Sequence, residues 1–183
     1  MKNLFIKYKS VIKFIGTFLL VYATLSFIYK LYLDFSDGST YYPDYFTNLV
    51  SKQTNAFLHT LGYDSQIVNH PDEPSMKLII NGQFVLRLIE GCNSISVVIL
   101  FGSFVTAFAD RFKPTFLYVL AGSVLIYIVN LVRLVILSLG LYHYPSRQEV
   151  MHSVIFPLII YGMVFLLWIF WIKRLSNLNR TNA

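Results

Sequence analysis

The sequence predicts an all-α polytopic membrane protein: about four transmembrane helices, with an amphipathic helix and a short β-hairpin on the outer face. Three observations predict it. Hydrophobic residues make up 56% of the 183-residue chain and charged ones only 13%, with mean hydropathy at +0.59. That much apolar surface has no polar cover in water, so the lipid bilayer is the expected solvent and partner. The apolar residues gather into four runs. The Lys and Arg residues stand at the ends of those runs, so the net charge of +6 reads as membrane topology and not as a nucleic-acid patch. No internal repeat, low-complexity tract or Cys/His metal spacing is present, and no metal or cofactor is expected.

A hydrocarbon core about 30 Å thick takes roughly 20 helical residues. The first run, Phe14 to Tyr29, carries no charge and is extended by Ile12 and by Leu31 to Leu33. No small-residue cleavage site follows it before Asp34, so it is expected to stay as an anchor and not to be removed as a signal peptide. From Tyr45 to Leu61, Phe46, Leu49, Val50, Phe57 and Leu61 recur at near-helical spacing, with Gly62 placed to cap the end. This predicts an amphipathic helix lying on the bilayer or on the tops of the spans. His70 to Pro74 reads as a loop. "KLIINGQFVLRLIEGC" sets two β-rich runs around Asn81-Gly82, a strong hairpin signal. The second span, Ile95 to Ala109, is short and follows the capping residues Asn93 and Ser94. The third runs from Thr115 to Leu141, interrupted by Asn130 and Arg133, and the fourth from Ser153 to Ile172.

Orientation follows from the basic residues. Lys2, Lys7, Lys9 and Lys13 precede the first span, Arg111 and Lys113 fill the turn between the second and third, and Lys173, Arg174 and Arg180 follow the fourth. Four spans put all of these on one face, with Asp110 as its only acid, and that face is expected to be cytoplasmic. The chain then divides into a basic N-terminus with the first helix (1–33), a periplasmic-side segment with the amphipathic helix and hairpin (34–91), a three-helix membrane core (92–172) and a basic cytoplasmic tail (173–183).

Three polar residues converge on the outer side. Arg133 is costly inside a span, about 2.5–3.5 kcal/mol on insertion scales, and such residues mark functional sites or snorkel from helix ends. Counted from Thr115 it lies about 27 Å above the inner face. Asn130, three residues earlier, shares its helix face. Cys92, the only cysteine, stands at the mouth of the second span, where helix N–H groups and a nearby cation favour the thiolate. The bland alternative is a cysteine buried as a small apolar residue. His152 opens the fourth span and suits proton transfer near neutral pH. His143 is the reserve candidate, and His59 and His70 are assigned no role. A nucleophilic thiolate, a proton carrier and a fixed cation are the parts of a cysteine acyl-transfer site.

At these residues the chain resembles the exosortase/archaeosortase family of membrane-embedded cysteine transpeptidases. The resemblance lies in "GCNSIS" opening one span, "NLVR" late in the next and His152 opening the last, and covers roughly Tyr45 to Ile172. With one span before this core, the chain looks most like the small F-type exosortases of the Bacteroidetes. The resemblance implies that Cys92, Arg133 and His152 are catalytic and that Asn130 supports them. It also implies a bacterial inner-membrane enzyme that cleaves C-terminal sorting signals of membrane-anchored proteins on the periplasmic side through a Cys92 thioester. Ser94 stands where such enzymes usually carry a small Gly. The extra spans of full-length members are absent, which leaves room for an accessory membrane protein in substrate docking. The competing expectation is a non-catalytic assembly or accessory protein whose Arg133 and Asn130 contact a partner helix.

Overall fold

The computed structural model describes residues 8–36, 40–109 and 111–181; the side chains of residues 148, 152, 156 and 175–181 lie outside the described residues. Helix α1 spans Lys9–Phe35 and α2 spans Tyr45–Thr60. Three strands follow, β1 (Ser65–Asn69), β2 (Met76–Ile80) and β3 (Gln83–Leu88), then a 3-10 turn at Glu90–Cys92. Helix α3 covers Ile95–Ala107 and α4 covers Phe112–His143. An irregular helical stretch, including a π turn at Met151–Ile155, leads into α5 (Phe156–Thr181).

Among the described residues, three stretches are long and apolar enough to cross a membrane: Lys9–Phe35, Phe112–His143 and Ser153–Arg174. The expected second span is shorter than required. Helix α3 has 13 residues, about 20 Å of helix against a core of about 30 Å. Large side chains such as Leu20, Phe27, Leu117, Leu158 and Phe170 stand well exposed on the long helices, where only lipid would accept them.

Side-chain contacts fix the helix directions. Phe14 near the start of α1 packs edge-to-face on Phe104 and tilted on Phe108 near the end of α3, whereas Tyr29 near the end of α1 bonds Asn93 ahead of α3. These two helices are therefore antiparallel. Phe101 of α3 packs on Tyr118 and Gly122 of α4, and Tyr118 stacks on Trp171 of α5. Gly140 at the far end of α4 meets Met151, just ahead of α5. The result is an up-down-up-down bundle. Lys9, Lys13, the Arg111–Lys113 turn, Lys173 and Arg174 share one end of it, and α2 and the sheet cover the other.

The covered end has its own core. Val50 and Leu58 of α2, Leu78, Ile80, Leu86 and Leu88 of the sheet, and Leu131, Leu134, Leu137 and Leu141 of α4 form one buried cluster with Cys92. The sheet is antiparallel in the order β1-β2-β3. The hairpin turn is Asn81-Gly82, with φ of 49° and 78° and Ile80 facing Gln83, the left-handed pair that a two-residue turn of this hand requires. Strand β1 adds a third strand to the expected hairpin, pairing Ser65 to Ile80 through Asn69 to Met76.

Helix α2 matches its expected bounds, and Gly62, at φ 87°, follows its C-cap. Its buried face differs from the expectation. Thr47, Val50, Ser51, Thr54 and Leu58 point inward, while Phe57 and Leu61 are exposed. The inward hydroxyls are satisfied within the helix: Ser51 Oγ donates to the Thr47 carbonyl at 2.7 Å and Thr54 Oγ1 to the Val50 carbonyl at 2.8 Å. Small self-bonded side chains let the helix sit close to the sheet and α4, leaving Phe57 and Leu61 on the outside.

Candidate active site

Cys92 ends the 3-10 turn that joins β3 to α3. Its N–H donates to the Ile89 carbonyl at 2.8 Å, which closes the turn. Ser94 then adopts φ 65°, ψ 2°, a left-handed conformation, and redirects the chain into α3. The cysteine thus stands one tight turn ahead of the helix and not at its first residue. Asn93 secures the junction. Its Oδ1 accepts the Ile95 N–H at 3.0 Å, capping α3, while its Nδ2 donates to Tyr29 Oη of α1 at 2.8 Å and Thr47 Oγ1 of α2 at 3.3 Å. One buried amide therefore ties three helices to the residue next to Cys92.

Asn130 performs the matching task from α4. It is fully buried, and its Nδ2 donates to the Cys92 carbonyl at 2.8 Å. Its Oδ1 accepts from Arg133 Nη1 at 3.3 Å. Being one turn apart on α4, the two side chains meet as their spacing predicts. Arg133 is half-buried and lies within electrostatic range of Cys92 and of Tyr161 on α5. Cys92, Asn130 and Arg133 are thus brought together by contacts between segments about forty residues apart.

Cys92 is itself buried, 9% exposed, among Leu88, Leu131 and Leu134. It nevertheless lines an open cleft of about 390 Å³ between β3 and α4. Leu134, Leu137 and Leu141 form its apolar wall, and His70 and Arg87 stand at its polar side. An apolar trough with a few polar groups at its edge suits an extended peptide segment.

Two histidines change standing. His143, the reserve candidate, bonds Tyr63 Oη through Nε2 at 3.2 Å and packs among Tyr63, Tyr142 and Tyr144, away from the cleft. His70, assigned no role from its sequence context, lines the same cleft as Cys92. Its Nδ1 accepts the Asp72 N–H at 3.2 Å, so in the neutral ring the proton is on Nε2. No local signal marks it, because the β1–β2 loop is brought over the cleft only by sheet pairing. His152 falls in the π turn ahead of α5, and its side chain lies outside the described residues.

Among the described residues no three His, Cys, Asp or Glu side chains are grouped as a metal site. Comparison with protein-family models, with curated proteins and with solved structures finds no match.

Proposed function

We propose that this chain is a membrane-embedded cysteine protease or transpeptidase of the exosortase kind, cleaving C-terminal sorting signals of exported, membrane-anchored proteins. The observation that carries the reading is the link from Cys92 to an intramembrane Asn130–Arg133 pair at the edge of an apolar cleft. In this reading α3 completes a four-span topology in the inner membrane, both termini are cytoplasmic, and the cleft opens on the periplasmic side. The shared basic end of the bundle supports that orientation.

The chemistry follows from the parts. The Cys92 thiolate, favoured by the nearby guanidinium, attacks the scissile carbonyl of a segment lying along Leu134, Leu137 and Leu141. Arg133 stabilises the oxyanion of the tetrahedral intermediate. Asn130 is a positioning residue, fixing both the Cys92 backbone and the guanidinium. A histidine, His152 by family resemblance or His70 by its place on the cleft, gives a proton to the leaving amine as the C–N bond breaks. An acceptor then releases the thioester.

The accessory-protein reading asks Asn130 and Arg133 to meet a partner helix. Asn130 is fully buried and already bonded at both ends of its amide within the chain, which disfavours that use.

Because Cys92 is the sole cysteine, its alkylation in spheroplasts by a small membrane-impermeant thiosulfonate reports on it alone. The expected result is labelling from outside, slowed in Arg133→Ala, where the cation that favours the thiolate is lost. Parallel profiles of His70→Ala and His152→Ala identify which histidine is coupled to the thiol. A labelling rate unmoved by Arg133→Ala, or labelling only from the cytoplasmic side, would sink the reading.

A further inference from the structure

Strand β3 lies at the edge of its sheet. The strand order is β1-β2-β3, and β3 pairs with β2 alone among the described residues. No backbone group of Phe84 to Leu88 bonds another described backbone group outside that pairing. The other edge therefore presents a row of N–H and C=O groups that an incoming chain can pair with. The cleft of about 390 Å³ beside Cys92 runs along this edge. Leu86 is buried in the core and Arg87 points the opposite way, as neighbours in a strand do, yet both line the cleft. A space reached from both faces of a strand lies at its edge. Leu134, Leu137 and Leu141 of α4 form the facing wall, and Cys92 stands one short turn beyond the end of β3.

The direction of β3 is fixed at both ends by α4. In the hairpin turn, Asn81 Nδ2 donates to Tyr142 Oη at 3.0 Å, at the end of α4 remote from the Arg111–Lys113 corner. Past the other end of β3, the Cys92 carbonyl accepts from Asn130, about three turns lower on α4. Strand β3 therefore descends toward the basic end of the bundle as it approaches Cys92. A substrate whose membrane helix follows its cleavage site descends the same way, from the aqueous side to Cys92 and on into the bilayer.

We infer that the substrate is held by strand addition. Its residues just ahead of the scissile bond pair through their main chain with the free edge of β3 and run parallel to it. The inference rests on the peptide-cleaving reading of Cys92 and adds how the peptide is gripped. Main-chain bonds supply the hold, and every second side chain meets the wall of Leu134, Leu137 and Leu141. The partner that fits is an extended segment with apolar residues at alternate positions. Because β3 continues directly into the turn that ends at Cys92, the pairing register also sets which peptide bond reaches the sulfur.

The test separates binding from chemistry by using the Cys92→Ala protein in phosphatidylcholine nanodiscs. The probe is a dansyl-labelled Val-Thr-Val-Thr-Val peptide, blocked at both ends and followed by fluorescence anisotropy. Consecutive N–H groups of a strand point to opposite edges, so strand addition engages alternate ones. One analogue is N-methylated on both Thr residues and the other on the second and third Val residues. One of the two should bind about tenfold more weakly than the parent, two hydrogen bonds being lost, and the other should match it. Equal affinity of the two analogues, or no saturable binding of the parent, overturns the inference. Uptake into lipid does not separate them, since their composition is the same. Phe84→Asp on the cleft should weaken the parent peptide and Val68→Asp on β1 should not, both positions being exposed; the reverse pattern overturns it. Energy transfer from Trp168 and Trp171, toward the basic end, should be stronger with the dansyl group on the C-terminus of the peptide than on its N-terminus. The opposite order overturns parallel pairing. A silent Cys92 in the alkylation assay would sink the enzymatic reading and leave peptide binding at β3 in place, so the two failures are distinct.

Discussion

Replacing Ser94 with glycine should stabilise the protein, against the usual direction of a change to glycine. Ser94 is 4% exposed and sits at φ 65°, and its Oγ has no hydrogen-bond partner among the described residues. A left-handed backbone costs an L-residue about 1–2 kcal/mol, and an unpaired buried hydroxyl about 1–3 kcal/mol. Both costs vanish in Ser94→Gly, while the freer unfolded chain takes back about 0.5–1 kcal/mol. The net is a stabilisation of about 2 kcal/mol. Ser94→Ala separates the contributions, because it removes the hydroxyl and keeps the Cβ at positive φ. Unfolding of the detergent-solubilised protein, titrated with SDS and followed by circular dichroism, should rank the chains wild type, then Ala, then Gly in rising stability. A Gly variant less stable than wild type, or no more stable than Ala, would refute the claim that backbone hand governs this position. The same junction sets the direction of Cys92, so a stabilised variant that keeps its alkylation rate also shows that the turn, and not the serine side chain, matters there.

Further outcomes follow from the same contacts. Asn130→Leu leaves the buried Cys92 carbonyl without its donor, at a cost of about 1–3 kcal/mol, and should slow Cys92 alkylation as Arg133→Ala does; an unchanged alkylation rate would show that Arg133 needs no positioning. A Cβ on Gly122 would overlap the buried Phe101 ring, so Gly122→Ala should destabilise the α3–α4 contact by about 1–3 kcal/mol in the same SDS titration. Asp44→Ala removes the cap of α2 together with the Tyr32 contact. It should cost about 1–2 kcal/mol and speed amide hydrogen exchange in the first turn of α2 while leaving the Asn81-Gly82 hairpin protected. Processing of sorting signals should be abolished in Cys92→Ala and Arg133→Ala, read by the electrophoretic shift of a tagged substrate protein.

Features that depend on solvent and on near neighbours were legible in the residues alone. The long apolar helices and the segregation of basic residues to one end follow from the choice between water and lipid, a residue-by-residue matter. The Asn81-Gly82 turn and the end of α2 at Gly62 were legible because both need positive φ, which glycine takes without strain. Asn130 and Arg133 were legible as a pair because three residues along a helix bring side chains together. The remaining features come from packing between distant segments. Strand β1 has just Ile67 and Val68 as apolar residues, so its existence depends on β2 pairing with it across a loop. The buried face of α2 carries hydroxyls that its own backbone satisfies, which no hydrophobic count reveals. Helix α3 is shorter than its apolar run because the chain turns at Ala107 before the Arg111–Lys113 corner. The cleft beside Cys92, with His70 on its edge, arises where the β1–β2 loop, the hairpin and α4 meet, and a second cleft, behind Glu90, where that loop meets the end of α1 and the start of α2. Those contacts join distant parts of the chain, and their register is set by packing, which local sequence does not encode.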